Sequence, residues 1–196
     1  MSPDFPALDG WNNFYVIVGS SAAGLTGLTF VVIALASEAK MVRLSGLRTF
    51  ITPIVLHFGS ALWLAALACI PGHNVTSLSI CMGASGLALT GFAANTTWRM
   101  YRGRREYRPV IEDWIWNAFL PLAVYLVLLI AGLIVVWHAL LSLYLIGSVA
   151  LALLFIGIHN AWDLAVWITA ERPGVRSQAN AKQPSPGKSP SGDPGA

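Results

Sequence analysis

Charged residues are scarce in this sequence. Of its 196 residues, twelve are Lys or Arg and nine are Asp or Glu, which is 11% of the chain, whereas 56% are hydrophobic. A water-soluble domain carries about 25% charged residues, so this composition excludes an ordinary soluble globule. The charges lie in a few clusters between long apolar runs, and the mean hydropathy is +0.64. The sequence therefore predicts an integral membrane protein.

Cysteine is also rare, and the common catalytic motifs are absent. The two cysteines, Cys69 and Cys81, flank one predicted outer loop. The two cysteines can form a disulfide bridge across this hairpin, or they can remain free thiols packed inside apolar helices. The sequence contains no phosphate-binding Gly-rich loop, no helical His-Glu metalloprotease pair, no Gly-x-Ser-x-Gly elbow and no haem-attachment Cys pair. The absence of these motifs weakens an enzymatic interpretation without excluding one, and we expect no cofactor.

Four uncharged runs are long enough to cross a bilayer, for which about 20 apolar residues are needed. The longest run, from Trp114 to Trp162, suits two crossings with a break at the polar, interface-seeking pair Trp137-His138. We predict an all-α, polytopic transmembrane bundle of five spanning helices, over 14–36, 50–70, 75–97, 114–137 and 139–162. Residues 1–13 then form a short N-terminal segment. The Pro-, Gly- and Ser-rich residues 173–196 are expected to form a disordered tail.

The basic residues indicate the orientation of the chain. All twelve follow the first, third or fifth predicted helix, and none lies in the N-terminal segment or in the loops near Gly72 and His138. Cytoplasmic loops of membrane proteins retain Lys and Arg. With five crossings, an extracytoplasmic N-terminus places every basic cluster in the cytoplasm together with the C-terminal tail.

The loop after the third predicted helix is the most basic stretch of the chain. Arginines in such loops anchor the orientation and attract anionic lipid headgroups. We therefore expect the protein to contact the lipid bilayer, including anionic headgroups, and to bind no nucleic acid. The arginines concerned are Arg99, Arg102, Arg104, Arg105 and Arg108.

Small residues recur four apart on two predicted helices. Such residues allow close contact between membrane helices, so both stripes are expected to face protein. They can pack within the bundle, or they can form the interface of a homo-oligomer or of a complex with another membrane protein. The first stripe contains Gly19, Ala23 and Gly27, and the second contains Gly86, Thr90 and Ala94.

The first and third predicted helices are also alike in sequence. Ala23–Gly27 is similar to Ser85–Gly91, and each helix is followed by a basic loop and then by a helix with a proline near its start, Pro53 or Pro121. A duplicated hairpin with parallel topology explains this likeness. The alternative is that small residues simply recur in packed membrane helices.

Polar residues within the predicted spans are the candidate site. An ionisable side chain is costly inside hydrocarbon and needs a partner or water. All of the candidates are expected in the cytoplasmic third of the bilayer: His57, Asn95, Asn117, His159, Asn160 and Asp163. They can line an inward-facing polar pocket or pore mouth, in which His57, His159 and Asp163 could also hold a metal ion. The alternative is structural, with Asp163 reaching the headgroups, His159 bonded to a neighbouring helix and the asparagines ending helices.

The segment His159-Asn160-Ala161-Trp162-Asp163, which follows an apolar run, resembles the last helix of a family of small multi-pass proteins of bacterial membranes. The resemblance covers the rest of the chain only in general layout. It implies a location in the bacterial inner (cell) membrane and no particular activity.

Two functions remain close alternatives. One is an oligomeric channel or transporter subunit for a small ion or solute, with the polar cluster on its path. The other is a non-catalytic accessory or structural protein that binds a larger membrane complex through its helix faces and basic loops. A membrane enzyme acting on a lipid-derived substrate is the weakest reading, because it requires a bound metal or a reactive pair at the inner face.

Overall fold

The computed structural model describes residues 10–38, 44–103 and 114–170 of the chain, and these ranges are helical without any strand. The prediction of an all-helical protein is therefore confirmed for this part. The helices are α1 (Asn12–Glu38), α2 (Leu44–Ala68), α3 (Val75–Gly103), α4 (Leu120–Ile134) and α5 (Ala139–Ala170), with a π-helical segment, Ile115–Phe119, leading into α4. Most of the predicted N-terminal segment, the predicted tail 173–196, and Arg104, Arg105 and Arg108 lie outside the described residues.

Four helical stretches have the length and apolarity needed to cross a membrane, and a fifth is shorter. The four are Asn12–Leu35, Val75–Arg99, Ile115–Ile134 and Ala139–Val166, and the shorter apolar stretch is Thr52–Ala68. Large apolar side chains also cover the outside of the bundle, where water-soluble proteins rarely expose a large continuous apolar patch. These features are compatible with a multi-pass membrane protein.

The turn between α4 and α5 interrupts the longest apolar run. The α4 helix ends at Ile134, and the backbone N–H of His138 donates to the Ile134 carbonyl at 2.8 Å. The buried hydroxyl of Ser142 in α5 donates to the carbonyl of Ala131 in α4 at 2.6 Å. This bond satisfies a polar group inside an apolar contact, and it ties the two helices together immediately beyond the turn.

The helices do not pack in chain order. The α3 helix packs mainly along α4, α1 packs mainly along α2, and α5 packs against both α2 and α4. Only a minor contact joins α2 to α3, although a short loop connects them. The last helix therefore holds two helical hairpins, α1–α2 and α3–α4, against each other.

The loop between α2 and α3 is built from local hydrogen bonds. Gly72 has a φ of 76°, a conformation that glycine adopts without strain. The His73 Nε2–H donates to the Leu67 carbonyl at 2.8 Å, and Asn74 Oδ1 accepts from the Ser77 backbone N–H at 2.7 Å. The first bond pairs a carbonyl at the C-terminal end of α2, and the second pairs a backbone N–H at the N-terminal end of α3. Helical geometry leaves both groups without a partner inside their helix.

Candidate functional site

A buried hydrogen-bond network joins α2 to α4 in the middle of the bundle. The Tyr125 hydroxyl lies 3.1 Å from His57 Nδ1 and 3.3 Å from Ser60 Oγ, and all three residues are buried. His57 lies next to the midpoint of α2, and Tyr125 lies next to the midpoint of the helical stretch Ile115–Ile134. The network therefore pairs three polar groups that are buried in an apolar bundle, where an unpaired polar group is costly.

The helix that carries His57 begins earlier than the sequence predicts. The predicted span began at Phe50, whereas α2 begins at Leu44. The residues between them include Arg48 and therefore did not look like part of an apolar crossing. Within this helix, His57 lies in the first half of the apolar stretch Thr52–Ala68.

Two proton arrangements fit the network, and they are coupled through the Tyr125 hydroxyl, which carries one proton. If Tyr125 donates to His57 Nδ1, it can accept from Ser60, and neutral His57 then carries its own proton on Nε2. If His57 Nδ1–H donates instead, Tyr125 can donate to Ser60, and Nε2 is then an acceptor. Among the described residues, Nε2 has no hydrogen-bond partner, so it is the ring nitrogen that remains for a ligand.

A cavity of about 220 Å³ lies beside the network between α2, α3 and α4. Its lining combines apolar side chains with hydroxyl, imidazole and amide groups. No Asp, Glu, Lys or Arg occurs among the described residues that line it. The lining residues are Thr52, Pro53, Leu56, His57, Phe92, Ala93, Thr96, Asn117, Pro121 and Tyr125.

Helix irregularities surround this cavity. Pro53 lies inside α2 and Pro121 lies in the first turn of α4, and both line the cavity. Proline lacks the backbone N–H of a regular helix. Asn117 belongs to the π-helical segment Ile115–Phe119, and such segments occur frequently at functional sites. The cavity therefore lies where two helices depart from regular geometry.

A second polar cluster lies near the C-terminal end of α5. His159 Nε2 is 3.3 Å from Asp163 Oδ2, and the His159 ring stacks on Trp116 with ring centroids 3.7 Å apart. The Asp163 side chain is about half exposed (53%). The His159 Nε2 makes no hydrogen bond to the described residues, so stacking on Trp116 is the contact that fixes the His159 ring.

The six polar candidates from the sequence do not share one site. His57 and Asn117 line the cavity, and His159 and Asp163 form the pair beside Trp116. Asn160 is buried in α5, and its Nδ2 has no partner among the described residues. Asn95 is exposed on α3. His57, His159 and Asp163 are all described, and the described residues contain no group of three or more His, Cys, Asp or Glu that could hold a metal ion.

The members of the two small-residue stripes also lie in different surroundings. A Cβ added to Gly19 would lie 3.1 Å from Ala65 Cβ, and one added to Gly86 would lie 2.5 Å from the Cα of Leu129. Both glycines thus allow close contact within the bundle. The remaining members pack less closely: Ala23, Gly27 and Ala94 are exposed, and Thr90 is half-buried with no partner for its Oγ1 among the described residues.

Two of the five arginines and both cysteines lie in the described part of the chain. Arg99 and Arg102 are exposed, and the Arg102 guanidinium lies 5.0 Å from the centre of the Trp98 ring. Such cation–π contacts suit a helix end at a membrane surface. Cys69 and Cys81 are both free thiols.

The network, the cavity and the His159 pair are the features from which a function can be inferred. No family model, no curated protein and no solved structure matches this chain. A fold does not by itself identify a function. The residues of these sites therefore carry the functional argument.

Sequence reasoning missed Tyr125 and Ser60. Tyrosine and serine are unremarkable in an apolar helix, and the partner of each lies on another helix far away in the chain. One signal was available, since His57 follows Pro53 by four residues and Tyr125 follows Pro121 by four. The hydrogen bond from Trp63 Nε1–H to Ser85 Oγ, at 3.0 Å between α2 and α3, was also missed.

Proposed function

We propose that the protein crosses the bacterial inner membrane five times, with its N-terminus outside and its C-terminus in the cytoplasm. The apolar exterior of the bundle and its four long apolar stretches support insertion in a membrane. The orientation is supported by the basic residues, all of which follow the first, third or last predicted span. The resemblance of the last helix to bacterial multi-pass proteins supports the choice of membrane.

We propose that its activity is transport, as a channel or transporter subunit for a small ion or solute. The observation that carries this proposal is the cavity beside the His57–Tyr125–Ser60 network at the centre of the bundle. Polar groups inside a membrane are costly, and they commonly mark the path of a substrate. Many secondary transporters bind their substrates beside helices with irregular backbone, and here Pro53, Pro121 and the π-helical residue Asn117 line the cavity.

We further propose that several copies assemble. Five helices enclose little space, so a continuous path favours several chains around an axis. The exposed positions Ala23 and Gly27 offer a contact, since a Cβ added to Gly27 meets nothing within 4 Å inside the chain. The accessory-protein alternative uses the same face for a different partner.

Flux through proteoliposomes tests the transport proposal. The purified full-length protein is reconstituted, and the entry of acetamide, glycerol, potassium and chloride is compared with entry into protein-free vesicles. We expect faster entry of at least one of these probes. Thr96→Phe, which places a ring in the cavity, is expected to return that rate to the protein-free value, because Thr96 lines the cavity.

Ala88→Phe is the matched control, because Ala88 is exposed on the same helix and does not line the cavity. It should leave the flux unchanged. Unaccelerated entry of all four probes, or equal flux through the two phenylalanine variants, contradicts transport through this cavity. Co-purification of the native protein with a stoichiometric membrane partner, combined with absent flux, supports the accessory function instead.

A further inference from the structure

The two hairpins carry the same sequence signals at nearly constant spacing. Leu25-Thr26-Gly27 of α1 recurs as Leu89-Thr90-Gly91 of α3. In the second helices of the two hairpins, Pro53 and His57 of α2 correspond to Pro121 and Tyr125 of α4. A duplicated hairpin predicts that corresponding residues have corresponding surroundings, and the tertiary structure allows this to be checked.

Corresponding residues of α1 and α3 are buried alike. The alignment of Gly27 with Gly91 also pairs Val18 with Met82, Ala22 with Gly86 and Thr29 with Ala93. All six of these paired residues are buried. The intervening positions on the outer face are exposed in both helices. The repeat is therefore present in the packing of α1 and α3 as well as in their sequence.

The closest helix contacts of the two hairpins also correspond. Gly19 lies against Ala65 where α1 meets α2. Its counterpart in the same alignment, Gly83, lies against Gly132 where α3 meets α4. Gly132 directly precedes Leu133, the residue that the alignment of the two prolines pairs with Ala65. Each hairpin is thus closed at nearly the same place by the same kind of small-residue contact.

The cavity lies where these two copies meet. His57 and Tyr125 occupy equivalent positions in the alignment of the two prolines and are hydrogen-bonded to each other. The equivalent prolines, Pro53 and Pro121, both line the cavity. In transporters built from repeats, the substrate site lies at the interface of the repeats.

The lining of the cavity selects the ligand chemistry. The Tyr125 hydroxyl is occupied by His57 and Ser60, and the Thr96 hydroxyl donates to the Phe92 carbonyl at 3.0 Å. His57 Nε2 and the Asn117 amide make no hydrogen bond to the described residues, so they remain for a ligand. Nε2 can donate or accept, and the amide does both. A volume of about 220 Å³ is below the roughly 300–1,000 Å³ of a site for a drug-sized ligand.

We propose that this cavity binds a small, uncharged solute of the amide class, which His57 Nε2 and the Asn117 side chain recognise at the interface of the two repeated hairpins. An amide presents both a donor and an acceptor, as these two groups require. A charged solute would lose its hydration without meeting an opposite charge among the described residues of the lining. The physiological role of this binding rests on the proposed transport function. Binding itself can be measured without transport across a membrane.

Three isosteric probes test the charge preference: acetamide, acetate and acetamidinium. Binding to the full-length protein in detergent is followed by saturation-transfer NMR of the methyl protons that all three probes share. We expect saturable binding of acetamide, and affinities for acetate and acetamidinium that are weaker by at least about tenfold, the effect of one unsatisfied hydrogen bond. Equal binding of a charged isostere, or no binding of acetamide, overturns the inference.

Variants locate the bound acetamide. Asn117→Leu removes the amide at nearly constant volume and is expected to weaken acetamide binding about tenfold, the effect of about one hydrogen bond. Asn95→Leu is the matched control, because Asn95 is exposed on α3 outside the cavity. Thermal unfolding verifies that both variants are folded. Equal acetamide affinity in folded Asn117→Leu and Asn95→Leu overturns the site. Acetamide binding without flux in vesicles contradicts transport alone and supports the binding site.

Discussion

The Tyr125 hydroxyl is the residue-scale feature on which the centre of the bundle depends. It is the shared partner of His57 Nδ1 and Ser60 Oγ, and Tyr125 is completely buried. A buried polar group that loses its partner keeps its desolvation cost without the compensating bond. Removing this oxygen therefore affects two other side chains.

Tyr125→Phe is expected to lower the free energy of unfolding by about 1 to 2 kcal/mol, because His57 and Ser60 lose their shared partner while the ring still fills its place. The measurement is reversible unfolding of the purified protein in detergent. Tyr144→Phe is the control, because Tyr144 is 60% exposed on α5 and should change stability by less than about 0.5 kcal/mol. Equal effects of the two substitutions would show that the network contributes nothing to stability.

Side chains of this site could be predicted from the sequence only in part. His57 and Asn117 were recognisable because imidazole and amide groups are unusual inside apolar spans. Tyr125 and Ser60 were not, since each is common in membrane helices and acts here only through a partner on another helix. The same reasoning also selected Asn95 and Asp163, which lie outside the cavity.

At the scale of elements, α3 and α4 approach each other so closely that Gly86 has no room for a Cβ. A Cβ added to Gly86 would lie 2.5 Å from the Cα of Leu129 and 2.6 Å from its nitrogen. Such a contact involves backbone that cannot rotate away, so α3 and α4 would have to separate.

Gly86→Ala is expected to destabilise the protein by about 1 to 3 kcal/mol through this overpacking, measured as a lower unfolding midpoint in detergent. Gly91→Ala is the matched control on the same helix, since its added Cβ meets nothing within 4 Å. Alanine favours a helix over glycine by up to about 1 kcal/mol, so the control should be neutral or stabilising. A Gly86→Ala protein as stable as Gly91→Ala would contradict the packing described.

The helices themselves were more predictable than their irregularities. Hydropathy indicated each apolar run, because every span must contain enough apolar residues to cross the bilayer. The π-helical segment Ile115–Phe119 and the early start of α2 at Leu44 were not predicted. The π-helical segment leaves the apolar content of its helix unchanged, and the first turns of α2 contain Arg48, so hydropathy indicated neither feature.

For the whole molecule, an odd number of crossings is the central expectation. Residues labelled near the two ends of the chain should lie in opposite compartments. We expect Ser2→Cys to react with a membrane-impermeant maleimide in intact cells, and Ser191→Cys to react only after the membrane is opened. Cys69 and Cys81 are first replaced by serine and alanine, because both are free thiols. Labelling of both positions from the same side would refute the five-crossing arrangement and the orientation proposed from the basic residues.

The sequence by itself determined the helical class and the apolar runs, and it predicts the side on which the positive charge gathers. These properties depend on composition and on local order along the chain, and both can be counted in a sequence. The tertiary structure alone decided that α5 packs between α2 and α4, that His57 meets Tyr125, and that a cavity remains between the two hairpins. In an apolar bundle, many helix faces are nearly equivalent in hydropathy. Which faces meet depends on the fit of glycines and on paired polar groups from distant parts of the chain.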